Sequence, residues 1–83
     1  MGGKEYRVAS PVMGTFYRAS APGQPPLVEI GQKISASDMV CVIESMKIFT
    51  EIRSEYAGVV KKILVESEEP VMKKQALIII EKS

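Results

Sequence analysis

Few residues in this 83-residue chain could carry chemistry. Histidine is absent, Asp38 is the sole aspartate and Cys41 the sole cysteine, so neither a Ser-His-Asp or Cys-His nucleophile nor a histidine-based metal site can be assembled. Cys41 lies inside the apolar run Val40-Cys41-Val42-Ile43, which suits a buried structural thiol rather than a reactive one. Glu44, Glu51 and Glu55 could act as general bases, but no catalytic partner accompanies them, and a solvated charged face accounts for all three. Lys47 remains. A lysine in a turn is ordinarily a solubilising charge. Here Met46 and Ile48 flank it with apolar side chains, and exposed apolar groups beside a cation mark recognition by another protein.

The elements around Lys47 read as strands. Met39 to Glu44, Gly58 to Val65 and Ala76 to Glu81 are short, rich in β-branched residues and separated by Gly, Pro, Ser and Glu. The window from Glu66 to Ala76 carries Pro70, whose missing N–H and ring would break a helix. Glu44 to Ile52 could be drawn on a helix, but it is short and has β-branched residues toward its end, which disfavour that drawing. A hairpin with Ser45-Met46-Lys47-Ile48 at its turn fits better, in an all-β domain.

The two halves of the chain repeat. At an offset of 37, Val28 to Glu44 aligns without a gap on Val65 to Glu81, with Val28/Val65, Glu29/Glu66, Ile43/Ile80 and Glu44/Glu81 identical. Upstream, Gly14-Thr15-Phe16 corresponds to Gly58-Val59-Val60 at an offset of 44, seven more than 37. The first half therefore holds a seven-residue insertion between Phe16 and Val28. Its three prolines and one glycine predict a stiff, exposed loop. Internal pseudo-twofold symmetry follows, with Lys47 at the midpoint of the repeat and the insertion protruding from one half only.

Composition sets the outer bounds. Apolar residues make up 46% of the chain and charged residues 25%, with a net charge of +1, an ordinary globular balance without a polybasic footprint. Nucleic acid and membranes are not expected partners, and no apolar stretch has the length of a membrane span. One cysteine allows no internal disulfide, which suits a reducing compartment. The length suits one small domain. We set it at residues 10–83, with residues 1–9 as an N-terminal extension or an expression remnant that begins Met1-Gly2-Gly3.

Glu44-Ser45-Met46-Lys47-Ile48 resembles the Glu-Ala-Met-Lys-Met signature of biotinyl domains. Ser10-Pro11-Val12-Met13-Gly14-Thr15-Phe16-Tyr17-Arg18, with Val28-Glu29-Ile30-Gly31-Gln32-Lys33, is similar to the biotin carboxyl carriers of bacterial and plastid acetyl-CoA carboxylases. The likeness runs from about Ser10 to Glu81, and Met before the lysine separates biotinyl from lipoyl domains, which usually show Asp-Lys-Ala. The insertion falls where these carriers have a protruding thumb, here about residues 18–27 with Ala19, Ser20, Ala21, Pro22 and Gly23.

The resemblance implies a flattened barrel-sandwich of two four-stranded antiparallel sheets, the hammerhead fold of biotinyl and lipoyl domains. It implies biotin in amide linkage to Lys47, with Glu44, Ser45, Met46 and Ile48 read by a biotin protein ligase and by partner enzymes. A biotin carboxylase and a carboxyltransferase would then use the arm in turn, giving malonyl-CoA from acetyl-CoA in the cytoplasm of a bacterium or the stroma of a plastid. The chain itself would be a non-catalytic carrier. Ser45 stands for the usual Ala and Ile48 for the second Met. Ala19 replaces a hydroxyl residue at the start of the thumb, so a contact there must come from backbone or from Ser20. Ser37 and Glu68 stand where turns usually have glycine, which predicts altered local turn geometry. A carrier of another biotin-dependent carboxylase or decarboxylase, a lipoyl carrier and an unmodified adaptor are the competing readings.

Overall fold

A computed structural model describes residues 4–21 and 23–83. Met1-Gly2-Gly3 and Pro22 of the thumb lie outside the described residues. Every regular element among the described residues is a strand: β1 (Glu5–Ala9), β2 (Gly14–Tyr17), β3 (Lys33–Ile34), β4 (Met39–Ser45), β5 (Ile48–Arg53), β6 (Gly58–Ile63), β7 (Pro70–Val71) and β8 (Ala76–Lys82). They form two antiparallel four-stranded sheets, ordered β1-β8-β6-β3 and β5-β4-β2-β7. Pro70 opens β7 at a sheet edge, where its missing N–H breaks no ladder.

The repeat read from the sequence is the symmetry of the fold. Exchanging β1 with β5, β8 with β4, β6 with β2 and β3 with β7 turns one sheet order into the other. Strands β3/β7 and β4/β8 begin and end 37 residues apart. Two buried serines mark the same relation. Ser10 Oγ donates to the carbonyl of Val12 at 2.5 Å, and Ser54 Oγ to that of Tyr56 at 2.6 Å. Phe16, Ile43, Leu77, Ile78 and Ile80 fill the space between the sheets, each burying apolar area worth about 1.5–3 kcal/mol.

Glu5–Ala9, which the sequence reading placed outside the domain, form β1. This strand pairs with β8 along its whole length and puts Val8 into the core. The domain therefore starts earlier than Ser10. The signal is the alternation of outward Glu5 and Arg7 with inward Tyr6 and Val8.

The expected change of turn geometry at Ser37 and Glu68 does not occur. Ser37 has φ 76° and Glu68 φ 73°, the left-handed conformation a glycine would take. Their symmetry mates, Lys74 at φ 72° and Gly31 at φ 91°, adopt it too. Tertiary hydrogen bonds impose it: Ser37 N–H donates to the Ser54 carbonyl at 2.7 Å, and Glu68 N–H to that of Phe16 at 2.6 Å. Each residue carries a steric cost that glycine avoids, partly offset by glycine's greater chain entropy. Ser37→Gly and Glu68→Gly should each stabilise the domain by about 0.5–1 kcal/mol, read as a rise in thermal midpoint. A fall would show that these turns are not strained.

Candidate functional site

The predicted hairpin is present. Strand β4 ends at Ser45 and β5 starts at Ile48, with Ser45 paired to Ile48 and Glu44 to Phe49. Met46 (φ 50°) and Lys47 (φ 69°) alone make the turn. A two-residue hairpin of type I′ has positive φ at both central positions, which matches the twist of its strands, and Asn-Gly is the usual solution. Met-Lys is a strained choice. It puts Met46 at 91% exposure, Ile48 at 65% and Phe49 at 61%. Lys47 is exposed, and no ion pair or side-chain hydrogen bond to another described residue holds its ammonium.

The inserted segment folds back over the outer face of the same sheet. Leu27 N–H donates to the Arg18 carbonyl at 2.8 Å and closes its base, while Gln24 N–H donates to that of Ala21 at 3.2 Å near its tip. Arg18 anchors it: its backbone N–H donates to Ser67 Oγ at 3.0 Å and its Nη2 to the Val28 carbonyl at 3.2 Å. Nη2 also lies 3.6 Å from Glu29 Oε1.

A cleft of about 580 Å³ opens between the inserted loop and the sheet. Ala19, Ser20, Ala21 and Gly23 line one side, and Tyr17, Val42, Glu44 and Phe49 the other. The structure thus brings four of the expected thumb residues together with Glu44. Ser45, Met46, Lys47 and Ile48 stay at the hairpin tip, outside the cleft lining.

Sequence reasoning missed Val42, Phe49 and the cleft role of Tyr17. Val42 was visible only as part of an apolar run. That run is continuous because Cys41 and Ile43 face the core while Val42 faces the cleft. Phe49, an aromatic two residues after Lys47, was the overlooked signal.

Two titrations are shaped by this packing. The Tyr17 hydroxyl donates to Glu44 Oε1 at 3.0 Å, and sharing its proton with the carboxylate raises the phenol above its ordinary value. Burial pushes the Cys41 thiol up to about 12, so it is a poor nucleophile. No group of three or more His, Cys, Asp or Glu among the described residues could hold a metal ion.

Residues 6–81 match the family model described as "Biotin-requiring enzyme", which covers biotin and lipoyl domains. The biotin carboxyl carrier protein of acetyl-CoA carboxylase from Nostoc sp. is 49% identical over 71 residues, 86% of this chain and 39% of that protein. Its counterpart from Pseudomonas aeruginosa is 42% identical over 73 residues, covering 88% and 47%. A chloroplastic counterpart from Arabidopsis thaliana is 39% identical over 74 residues, covering 89% and 26%. The chain thus spans less than half the length of these curated relatives. The urea carboxylase of Kluyveromyces lactis contains the same fold, with a TM-score of 0.79 at 24% identity over 96% of this chain and 6% of that one. With the family model matched across nearly all of its strands, the chain belongs to the biotin- and lipoyl-domain family of biotin-requiring enzymes.

Proposed function

We propose that this chain is the biotin carrier domain of an acetyl-CoA carboxylase, with biotin joined through an amide to Lys47. The observation that carries the reading is the turn itself: a strained two-residue hairpin presents to solvent Met46 and a Lys47 that has no ion pair or side-chain hydrogen bond among the described residues. Strain of this kind persists where the position is used. The residues fit the group, because an exposed amine free of competing bonds can form an amide without dismantling a packed site.

In the modification, the neutral Nζ of Lys47 attacks the carboxyl carbon of biotin activated as an adenylate by a biotin protein ligase. The amide forms, adenylate leaves, and the amine loses its proton. Rigid strands on both sides of the turn fix where the amine is found, and Met46 and Ile48 give the ligase apolar surface beside it. Bound biotin supplies a ureido nitrogen that takes up and releases a carboxyl group. The lysine stem gives reach between a biotin carboxylase and a carboxyltransferase, and tethering keeps the local concentration high at both. The chain is a carrier and not a catalyst. Carriers of this name occur in bacteria and chloroplasts, which supports a bacterial cytoplasm or plastid stroma as its place.

Reconstitution tests the partner assignment. The biotinylated domain, mixed with a biotin carboxylase, an acetyl-CoA carboxyltransferase, ATP, bicarbonate and acetyl-CoA, should support malonyl-CoA formation, and Lys47→Arg should support none. A biotinylated domain that gives no malonyl-CoA with either bacterial or plastid partners would assign it to a different carboxylase or decarboxylase.

A further inference from the structure

We infer that Tyr17 is a positioning residue for the modification of Lys47, holding the Glu44 carboxylate in the pose that the ligase meets beside the hairpin. This rests on the biotin reading above. Tyr17 lies on β2 and Glu44 on β4, one diagonal step apart, since Thr15 is the residue paired with Glu44 and Tyr17 is paired with Val42. The phenol spans that diagonal with its 3.0 Å hydrogen bond. Glu44 stands one residue before the end of β4 and is paired with Phe49, so its carboxylate sits between the thumb cleft and the turn that carries Lys47.

The other half of the domain supplies an internal control. There Glu81 takes the place of Glu44, and its β1 partner Glu5 takes the place of Phe49. Where β2 has Tyr17, β6 has a bulge at Lys61 and Lys62, and Lys61 Nζ bonds Glu5 Oε2 at 2.6 Å. The sheet there closes with a lysine in the place of Tyr17, bonded to the carboxylate at the Phe49 position rather than to the one at the Glu44 position. What tyrosine adds at the modified end is a neutral donor, which fixes a carboxylate without cancelling its charge. A lysine would hold the same group as an ion pair and remove the negative charge from the surface the ligase meets. A hydrogen-bonded, charged carboxylate is a recognition element of defined position.

The test is a cycle of Tyr17→Phe, Glu44→Gln and the double variant, assayed for biotin transfer by a biotin protein ligase and for thermal midpoint. Tyr17→Phe keeps the ring and should lower kcat/KM about three- to tenfold, the scale of one hydrogen bond, mainly through KM and with little change in thermal midpoint. Glu44→Gln should lower it further, and the double variant should be no worse than Glu44→Gln, because the hydroxyl acts only through the carboxylate. NMR titration of the Tyr17 ring gives a readout independent of the ligase: its pKa should fall toward the ordinary phenol range in Glu44→Gln. A modified parent with Tyr17→Phe equal to it, additive effects, or a loss that follows thermal midpoint would overturn the inference alone. A parent that takes no biotin would overturn the biotin reading and this inference together.

Discussion

Gly14→Ala should destabilise the domain by about 2–3 kcal/mol and impair modification of Lys47 even where the protein remains folded. A Cβ on Gly14 would run into the carbonyl oxygen of Glu44, with Ile43 Cγ2 at 2.8 Å and the Glu44 carbonyl carbon at 3.1 Å. Two of these three atoms are backbone, so relief requires β2 and β4 to move apart rather than a rotamer to change. The cost is a large share of the roughly 4–12 kcal/mol expected of a domain this size. Gly58→Ala is the matched control. Its Cβ would meet the Glu81 carbonyl in the same way, with Ile80 Cγ2 at 3.0 Å. Both variants should lose on the order of 10–20 °C in thermal midpoint. Only Gly14→Ala displaces Glu44 and the strand that leads into the hairpin, so only it should be slow to accept biotin at a temperature well below both midpoints. Equal modification of the two would show that the close approach of β2 to β4 does not position the turn.

Replacing the turn with the residues its geometry favours should separate stability from function. Met46→Asn with Lys47→Gly relieves two left-handed residues, of φ 50° and 69°, each costing about 1 kcal/mol. The double variant should gain about 1–2 kcal/mol, seen as a higher denaturation midpoint in urea with an unchanged slope. It should also lose modification completely. Single substitutions divide the effect: Met46→Asn should gain part of the stability and keep Lys47, whereas Lys47→Gly should gain the other part and take no biotin. A double variant less stable than the parent would mean that Met46 and Lys47 make contacts worth more than their strain. This is the trade expected where a turn is kept for what it presents and not for how well it closes.

The sequence made the strand-turn-strand repeat legible because β3/β7 and β4/β8 keep one offset and one apolar pattern through both halves. The hairpin was legible because the alternation ending at Ile52 follows the run ending at Glu44 with only Ser45-Met46-Lys47-Ile48 between them, too short for anything but a turn. Strand β1 escaped notice although the offset of 44 extends back through Ser10/Ser54 and Val8/Ile52. A short edge strand with two charged outward residues has little apolar signal of its own. The turns at Ser37 and Glu68 show the limit of reading conformation from residue type. Backbone hydrogen bonds, from Ser37 to Ser54 just past β5 and from Glu68 to Phe16 of β2, hold both residues left-handed although neither is glycine. The cleft was hidden for a different reason. Its two walls come from the insertion and from outward positions of β2, β4 and β5, and no spacing in the sequence says which outward residues a folded-back loop will cover. Tyr17 and Phe49 became interpretable once the symmetric half showed Lys61 and Glu5 in their surroundings.

The most direct test of the account is the intact mass of the protein after co-expression with a biotin protein ligase, beside Lys47→Arg. The parent should gain one biotinyl group and the variant none. An unmodified parent, or a variant that gains the same mass, would contradict biotin attachment at Lys47. A parent that instead takes a lipoyl group from a lipoyl ligase would place the chain on the lipoyl side of its family.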